Sequence, residues 1–214
     1  MNADAVIAVR GGPAAKSRLA GRLGAEARQA LVEAMLDDVL TALAACPAVR
    51  RVYVTTPTPG VARLAARRGA IVVLEQDGGD LNGAFGAARA RIAAADPGRI
   101  VMLLPGDLPR LGPGDLEACL EAAAPDRLVL APADADGGTG ALVFRADAAL
   151  PLAFGPGSFG RHLAAARTAG LEPRVVHTAG LGFDLDRPSD LDALLALGGG
   201  KRTLELLRDG RAAA

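Results

Sequence analysis

Apolar residues fall into short unbroken blocks, separated by longer stretches in which they recur every three or four positions. The blocks AVIAV (5–9), RVYVTT (51–56), AIVVLE (70–75) and RIVMLL (99–104) each predict a strand. They are apolar on both faces, which predicts a parallel sheet covered by helices on both sides. The stretches between them predict helices. Residues 26–45 carry Leu31, Met35, Val39 and Leu43 at four-residue spacing, and residues 61–69 end on Gly69, a helix-closing glycine. Residues 81–95 predict a third helix, and 113–124 a fourth that opens on proline and acid, as a first helical turn favours. Four strands alternating with helices within about a hundred residues predict a doubly wound sheet. Beyond them the alternation loosens. Residues 127–132, 140–144 and 173–178 predict strands, 158–169 a helix, and 188–197 and 201–208 the closing helices. No linker rich in Ser or Pro, repeat or low-complexity stretch interrupts the chain. The expectation is a three-layer α/β sandwich with a mostly parallel central sheet, a single domain over 1–214, with the order of 201–214 left open and a solvated, peripheral terminal helix as its reading.

Composition narrows the function. The chain has 214 residues, half of them apolar, but only 3% aromatic and no Trp, so the core must be built from Ala, Val, Leu and Ile. Lys plus Arg and Asp plus Glu each number 24. This balance argues against nucleic acid or an anionic membrane as partner, since both need a basic surface. Two cysteines, Cys46 and Cys119, and two histidines, His162 and His177, lie in no zinc-binding spacing. The cysteines sit in helical patterns and read as buried or helix-end thiols. The start shows no basic segment followed by an apolar one, and no run approaches 18 apolar residues, so a soluble cytoplasmic protein is expected. The oligomeric state stays open, a homodimer included.

Ligands of open parallel sheets bind beyond the carboxyl ends of the strands. After the first strand comes RGGPAAKSRLA (10–20). Arg10, Gly11, Gly12, Lys16 and Arg18 there suit a triphosphate, because glycines admit close backbone approach and the cations balance charge. The spacing is neither a Walker loop nor G-x-G-x-x-G. After the fourth strand, LLPGDLPRL (103–111) puts Asp107 at a strand end, where a carboxylate can hold Mg²⁺ on a nucleotide. In GFDLDRPSDL (182–191), Asp184 and Asp186 alternate. In extended chain they point the same way, about 6–7 Å apart, and repel unless a cation intervenes. Ser189 or Asp190 then caps the following helix. Asp107, Asp184 and Asp186 form an all-oxygen set suited to a hard cation. Thr139, in GGTG, and Ser158, in FGPGS, each flanked by glycine, can converge on one phosphate. Ser158 also reads as a plain helix N-cap. His162 and His177 are assigned no chemistry.

The motifs AKSRLA, LLPGDLP, GGTGALVF, FGPGSFGRHLAAA and FDLDRPSDL occur in this order. Together, across roughly residues 5–195, they resemble the 2-phospholactate guanylyltransferase family, whose members also act on phosphoenolpyruvate or 3-phosphoglycerate in coenzyme F(420) biosynthesis. The resemblance implies a nucleotide-diphospho-sugar-transferase-like fold. It implies GTP over the first loop, with Arg10, Gly11, Gly12, Lys16 and Asn82 at the nucleotide. Mg²⁺ would sit on Asp107, Asp184 and Asp186, with Lys16, Arg18 and Asp107 carrying the chemistry. The acceptor phosphate would lie against Thr139, Gly155 and Ser158. Phosphoenolpyruvate ranks slightly ahead of 2-phospholactate and 3-phosphoglycerate. The chain departs from the pattern at Arg10 (commonly Lys), Gly140 (often Asn), Gly106 (often Ala) and Arg110 (usually apolar).

Two other readings stay open. A molybdopterin guanylyl- or cytidylyltransferase would share the fold, but its more glycine-rich first loop is missing here. A non-catalytic nucleotide-binding module would be expected to have lost an acidic position, and none is lost.

Overall fold

The computed structural model describes residues 1–74 and 79–209. The strands β1 (Ala3–Ala8), β2 (Val49–Thr56), β3 (Ile71–Leu74), β4 (Ile100–Pro105), β5 (Arg127–Pro132), β6 (Thr139–Arg145) and β7 (Glu172–Val175) form one sheet in the order β3-β2-β1-β4-β6-β5-β7. All neighbours pair in parallel except β6, which runs antiparallel to β4 and β5. Strand alternation divides the core. Ala5 and Ile7 of β1 face a cluster built with α1 (Ala25–Ala44), while Val6 and Ala8 face one built with α3 (Leu81–Ala95). Leu31, Met35, Val39 and Leu43 are all buried against the first face. Cys46 and Cys119 are buried thiols, and burial pushes Cys119 up to about 12.

The remaining helices are α2 (Pro59–Arg67), α4 (Pro113–Glu121), α5 (Ser158–Thr168), α6 (Ala179–Gly182), α7 (Pro188–Leu197) and α8 (Lys201–Arg208). The sequence predicts strand to residue 178, but β7 stops at Val175. The chain turns into α6, whose Thr178 side chain accepts the Leu181 N–H. α6 spans four residues, AGLG, too short to carry a periodic signal. Gly69, at φ 80°, follows the end of α2 as expected. The sheet order reverses between β1 and β4, so the loops after these two strands leave to opposite sides and open a crevice at their carboxyl ends. Among the described residues no helix is long and apolar enough to cross a membrane.

The C-terminal segment forms a helix over Lys201–Arg208. α8 packs against α1, with Leu204, Leu206 and Leu207 on the core, while residues 210–214 lie outside the described part. The anchor is Asp38 of α1, which is buried. It accepts the Arg202 N–H at 3.0 Å, the Thr203 N–H at 2.9 Å and the Thr203 hydroxyl at 2.6 Å. One carboxylate thus serves the orphan amides of a helix from elsewhere in the chain. Asp38→Ala should cost about 1–2 kcal/mol, the loss of a good cap. Hydrogen exchange over 202–208 should rise while the β-strand amides stay protected. Unchanged exchange in α8 would show that the carboxylate does not hold the helix.

Candidate active site

The loop after β1 is shaped by Arg28. This guanidinium donates to the carbonyls of Ala15 at 3.0 Å, Leu23 at 2.8 Å and Pro13 at 2.7 Å. A rigid fork with five donors can hold three carbonyls at once, which a lysine cannot. The loop bends at Lys16, whose φ of 49° makes it the one non-glycine residue with positive φ among those described. That conformation costs about 1–3 kcal/mol and marks a site where position matters more than comfort. A short 3-10 turn, Ser17–Leu19, follows and presents Arg18.

Lys16 turns inward. Its side chain is 9% exposed, and its ammonium lies 2.6 Å from Asp107 and 2.9 Å from Asp186. Arg18 pairs with the other Asp186 oxygen at 2.5 Å. Burial works against the Lys16 charge, but the two carboxylates outweigh it and raise its pKa. Asp186 likewise resists burial, because Lys16 and Arg18 hold it below the usual carboxylate range. Asp184 has no such help. Burial, and then the nearby charge of Asp107, push it up to about 6, and its buried Oδ1 has no hydrogen-bond partner. The segment is extended as the alternation predicts. Leu185 enters the core and its N–H meets the Asp107 carbonyl at 3.2 Å, while Asp184 and Asp186 face one cavity. Of the two cap candidates, Asp190 serves: it accepts the Asp186 and Arg187 amides at 2.9 and 2.6 Å.

The cavity measures about 410 Å³ and is lined by four carboxylates, Asp107, Asp136, Asp184 and Asp186, against two cations, Lys16 and Arg18. Among the described residues no three acidic, His or Cys side chains make a ready-made metal cage. Lys16 stands between Asp107 and Asp186 instead.

Its other wall is made by the GGTG and FGPGS turns. Thr139, Gly138 and Gly155 line the cavity. Gly155 at φ 127° and Gly157 at φ 67° need backbone that L side chains avoid. The cap of α5 is Gly157, and Ser158 is the first helical residue. Its hydroxyl is buried 2.9 Å from that of Thr139, so the two do converge, but Ser158 touches Thr139 rather than the cavity. Asp136 joins the two turns. Its carboxylate accepts the Gly138 N–H and its carbonyl the Gly157 N–H.

Other expected nucleotide ligands are placed elsewhere. Gly11 and Gly12 spend their amides on the side chains of Thr58, at 3.1 Å, and Gln29, at 2.5 Å. Gly12 lines a separate depression with Gln29 and Thr58. Arg10 donates to the Gly79 carbonyl. Asn82 uses both ends of its amide on the Phe154 backbone, accepting at 2.7 Å and donating at 3.3 Å. It therefore braces the FGPGS turn. Two departures have steric causes. A Cβ on Gly140 would run into the Leu181 carbonyl, and one on Gly106 into Val9. Arg110 covers Phe183 and donates to the Gly198 carbonyl.

Sequence reasoning passed over Arg28 and Asp136. His162 lies four residues after Ser158, on the same helical face, but was assigned no chemistry. Burial, then the charge of Arg161, push it down to about 4. A histidine depressed from 6.5 to about 4 on folding binds fewer protons folded than unfolded. Its contribution to stability is complete above pH 6.5 and is lost as pH falls toward 4. That is about 3 kcal/mol over the window. Urea midpoints measured from pH 7 to 4 should therefore fall more steeply for the wild type than for His162→Gln. Parallel slopes would contradict the neutral buried imidazole.

Comparisons with known proteins place the chain in a family. A family model described as "Guanylyl transferase CofC like" matches residues 3–213. The 3-phospho-D-glycerate guanylyltransferase of Phenylobacterium zucineum is 46% identical over 209 residues, covering 97% of this chain and 96% of its own. The phosphoenolpyruvate guanylyltransferase of Sphaerobacter thermophilus is 43% identical over 195 residues, covering 91% and 93%. Among solved structures, a protein assigned as a nucleotide-diphospho-sugar transferase from Desulfovibrio desulfuricans G20 superposes with a TM-score of 0.77. It is 22% identical, over 100% of this chain and 97% of that one, and supports the fold. By family model and by relatives that span nearly its whole length, the chain belongs to the guanylyl transferase CofC-like family of nucleotidyltransferases.

Proposed function

We propose that this guanylyltransferase joins the GMP moiety of GTP to the phosphate of a three-carbon phospho-carboxylate and releases pyrophosphate, a step in coenzyme F(420) biosynthesis. The observation that carries this reading is the division of one cavity into two walls, one carrying Lys16, Arg18, Asp107, Asp184 and Asp186 and the other built from the glycine-rich turns around Thr139. Such a cavity suits a triphosphate on one side and a small phosphorylated acid on the other.

GTP lies along the first loop, with its phosphates toward Lys16 and Arg18. The acceptor lies with its phosphate against Thr139 and Gly155. A phosphate oxygen of the acceptor, already ionised near neutral pH, attacks the α-phosphorus, and the bond to the pyrophosphate oxygen breaks. No protein base is required. The chain's own work is to align the two anions and offset their charge. Lys16 and Arg18 balance the leaving pyrophosphate. Four carboxylates against two cations would repel a triphosphate, so the charge balance of the cavity calls for a further cation. The unpartnered Asp184 Oδ1 suits one, and the all-oxygen donors suit Mg²⁺. Asp107, Asp184 and Asp186 would hold it, and when bound it would neutralise phosphate charge and bring the two anions together. Lys16 then exchanges its carboxylates for phosphate.

The test is pyrophosphate release from GTP and Mg²⁺ with phosphoenolpyruvate, 2-phospholactate or 3-phosphoglycerate in turn, the product identified by mass. One acid should react, GTP should outperform ATP, CTP and UTP, and excess EDTA should abolish turnover. Asp184→Asn should lower turnover by about 10²-fold or more. Full activity in EDTA would remove the metal from the reading, and release with none of the acids would remove the acceptor.

The two walls should also separate kinetically. Thr139→Val should raise the KM of the acid and leave the KM of GTP nearly unchanged. Lys16→Ala should weaken GTP more than GMP, by isothermal titration. A Thr139 variant that lost GTP instead would put the turns on the wrong substrate.

A further inference from the structure

His162 lies behind the acceptor wall, fully buried, and its polar contact with the cavity lining is through Thr139. Its two ring nitrogens have different partners. Nε2 lies 2.9 Å from the Ala153 nitrogen, in line with a backbone N–H that can only donate. Nε2 must therefore present its lone pair. The ring stays neutral, because burial pushes its pKa down to about 4. A neutral imidazole carries one proton, so that proton is on Nδ1. Nδ1 lies 2.9 Å from Thr139 Oγ1 and donates to it. The ring cannot readily turn: Phe154 packs against it edge-on, with centroids 5.0 Å apart.

The consequence falls on the threonine. Its oxygen has two lone pairs and one proton. One lone pair takes the imidazole N–H. In the Thr139–Ser158 pair, 2.9 Å apart, either hydroxyl can donate. When Ser158, buried outside the cavity lining, donates to the second lone pair, the Thr139 proton is left for the side that faces the cavity. With the opposite tautomer, the threonine would give its proton to Nδ1 and turn a lone pair toward an anion.

We propose that His162 is a positioning residue of the acceptor pocket: the Ala153 N–H fixes it as the Nδ1–H tautomer, and its donation to Thr139 aims the threonine hydroxyl proton at the phosphate of the acceptor acid. The inference rests on the acceptor reading above and adds a directional device to it. The Ala153 N–H, His162, Thr139 and phosphate form one chain of donors running outward, which suits an anion and disfavours any ligand that offers a proton there. Ser158 belongs to the same device, since its hydroxyl occupies the lone pair that would otherwise compete.

Two amide variants separate positioning from plain support. In His162→Asn the amide nitrogen reaches the place of Nδ1 and can still donate to Thr139, but the Ala153 N–H loses its acceptor. In His162→Gln the amide oxygen reaches the place of Nε2 and keeps Ala153, but the donor to Thr139 is gone. Positioning requires the glutamine variant to raise the KM of the acid more, by about 10- to 100-fold, the range of one charge-assisted hydrogen bond. The asparagine variant should stay closer to wild type, and the GTP KM should hold in both. In a Thr139→Val background the effect of His162→Gln should vanish. A supporting role alone predicts the reverse order, and that order would overturn the proposal. The wild-type protein gives a second readout that needs no variant to fold. With only two histidines in the chain, long-range ¹⁵N NMR resolves the tautomer of each. An unprotonated Nε2 on His162 is expected, and a protonated Nε2 would overturn the inference. Turnover with an unchanged acid KM in His162→Gln would overturn it alone. Failure of the wild type to use any phospho-carboxylate would overturn the functional reading and this inference with it.

Discussion

The buried ammonium of Lys16 is the point on which the carboxyl end of the sheet turns. It reaches Asp107 and Asp186, 91 and 170 residues away, and so draws together the first loop, the end of β4 and the segment before α7. A charge removed from water must be paired, and a pair of this kind is costly to break from either side. The rest of the first loop serves that placement. The left-handed bend at Lys16 aims the side chain inward, and Arg28 holds three loop carbonyls so that the bend is over-determined. Asp184 stands outside the pairing, with a raised pKa and an unpartnered oxygen, and leaves the charged wall one cation short of balance.

The opposite wall is held by hydrogen bonds to its own backbone. Asn82 takes both polar groups of Phe154, Arg161 takes the carbonyls of Ala153 and Pro156, His162 takes the Ala153 amide, and Asp136 takes the Gly157 amide. The turn is thereby bound on both sides, and Thr139 and Gly155 are what it offers to the cavity. One wall works by long-range charge and the other by hydrogen-bond direction. This difference is why the two substrates should respond to different substitutions.

Close approach of backbone explains two positions at which the chain departs from the family pattern. Gly140 is crossed by the Leu181 carbonyl and Gly106 by the Val9 side chain, so neither admits a Cβ without movement. The carbonyl of Leu181 belongs to α6, the short helix that replaces the end of the expected last strand. The same end of the molecule is secured by Arg110 against Phe183 and by Asp38 at the start of α8.

The repeating apolar blocks by themselves determined the strands, their helical cover and the boundaries of most elements, because the central blocks, β1 and β4, are buried on both faces and need no distant partner to declare themselves. Residues 81–95, 127–132, 188–197 and 201–208 match their elements end to end. The alternation of Asp184, Leu185 and Asp186 was equally legible, since extended chain alternates by geometry alone. What the tertiary structure decided were the partners. Sequence shows that Asn82 and Ser158 carry polar groups at helix starts, but not that the first is consumed by Phe154 and the second by Thr139. It shows Asp38 on a helix, but not the amides of Arg202 and Thr203 that the carboxylate accepts. Arg28 gave no motif, and His162 lay within one without a role, because each acts on backbone or on one hydroxyl brought to it by the fold. Hydrogen bonds are short and directional, and their partners here lie up to 170 residues apart. Only the folded chain brings such groups within the distance at which direction begins to matter.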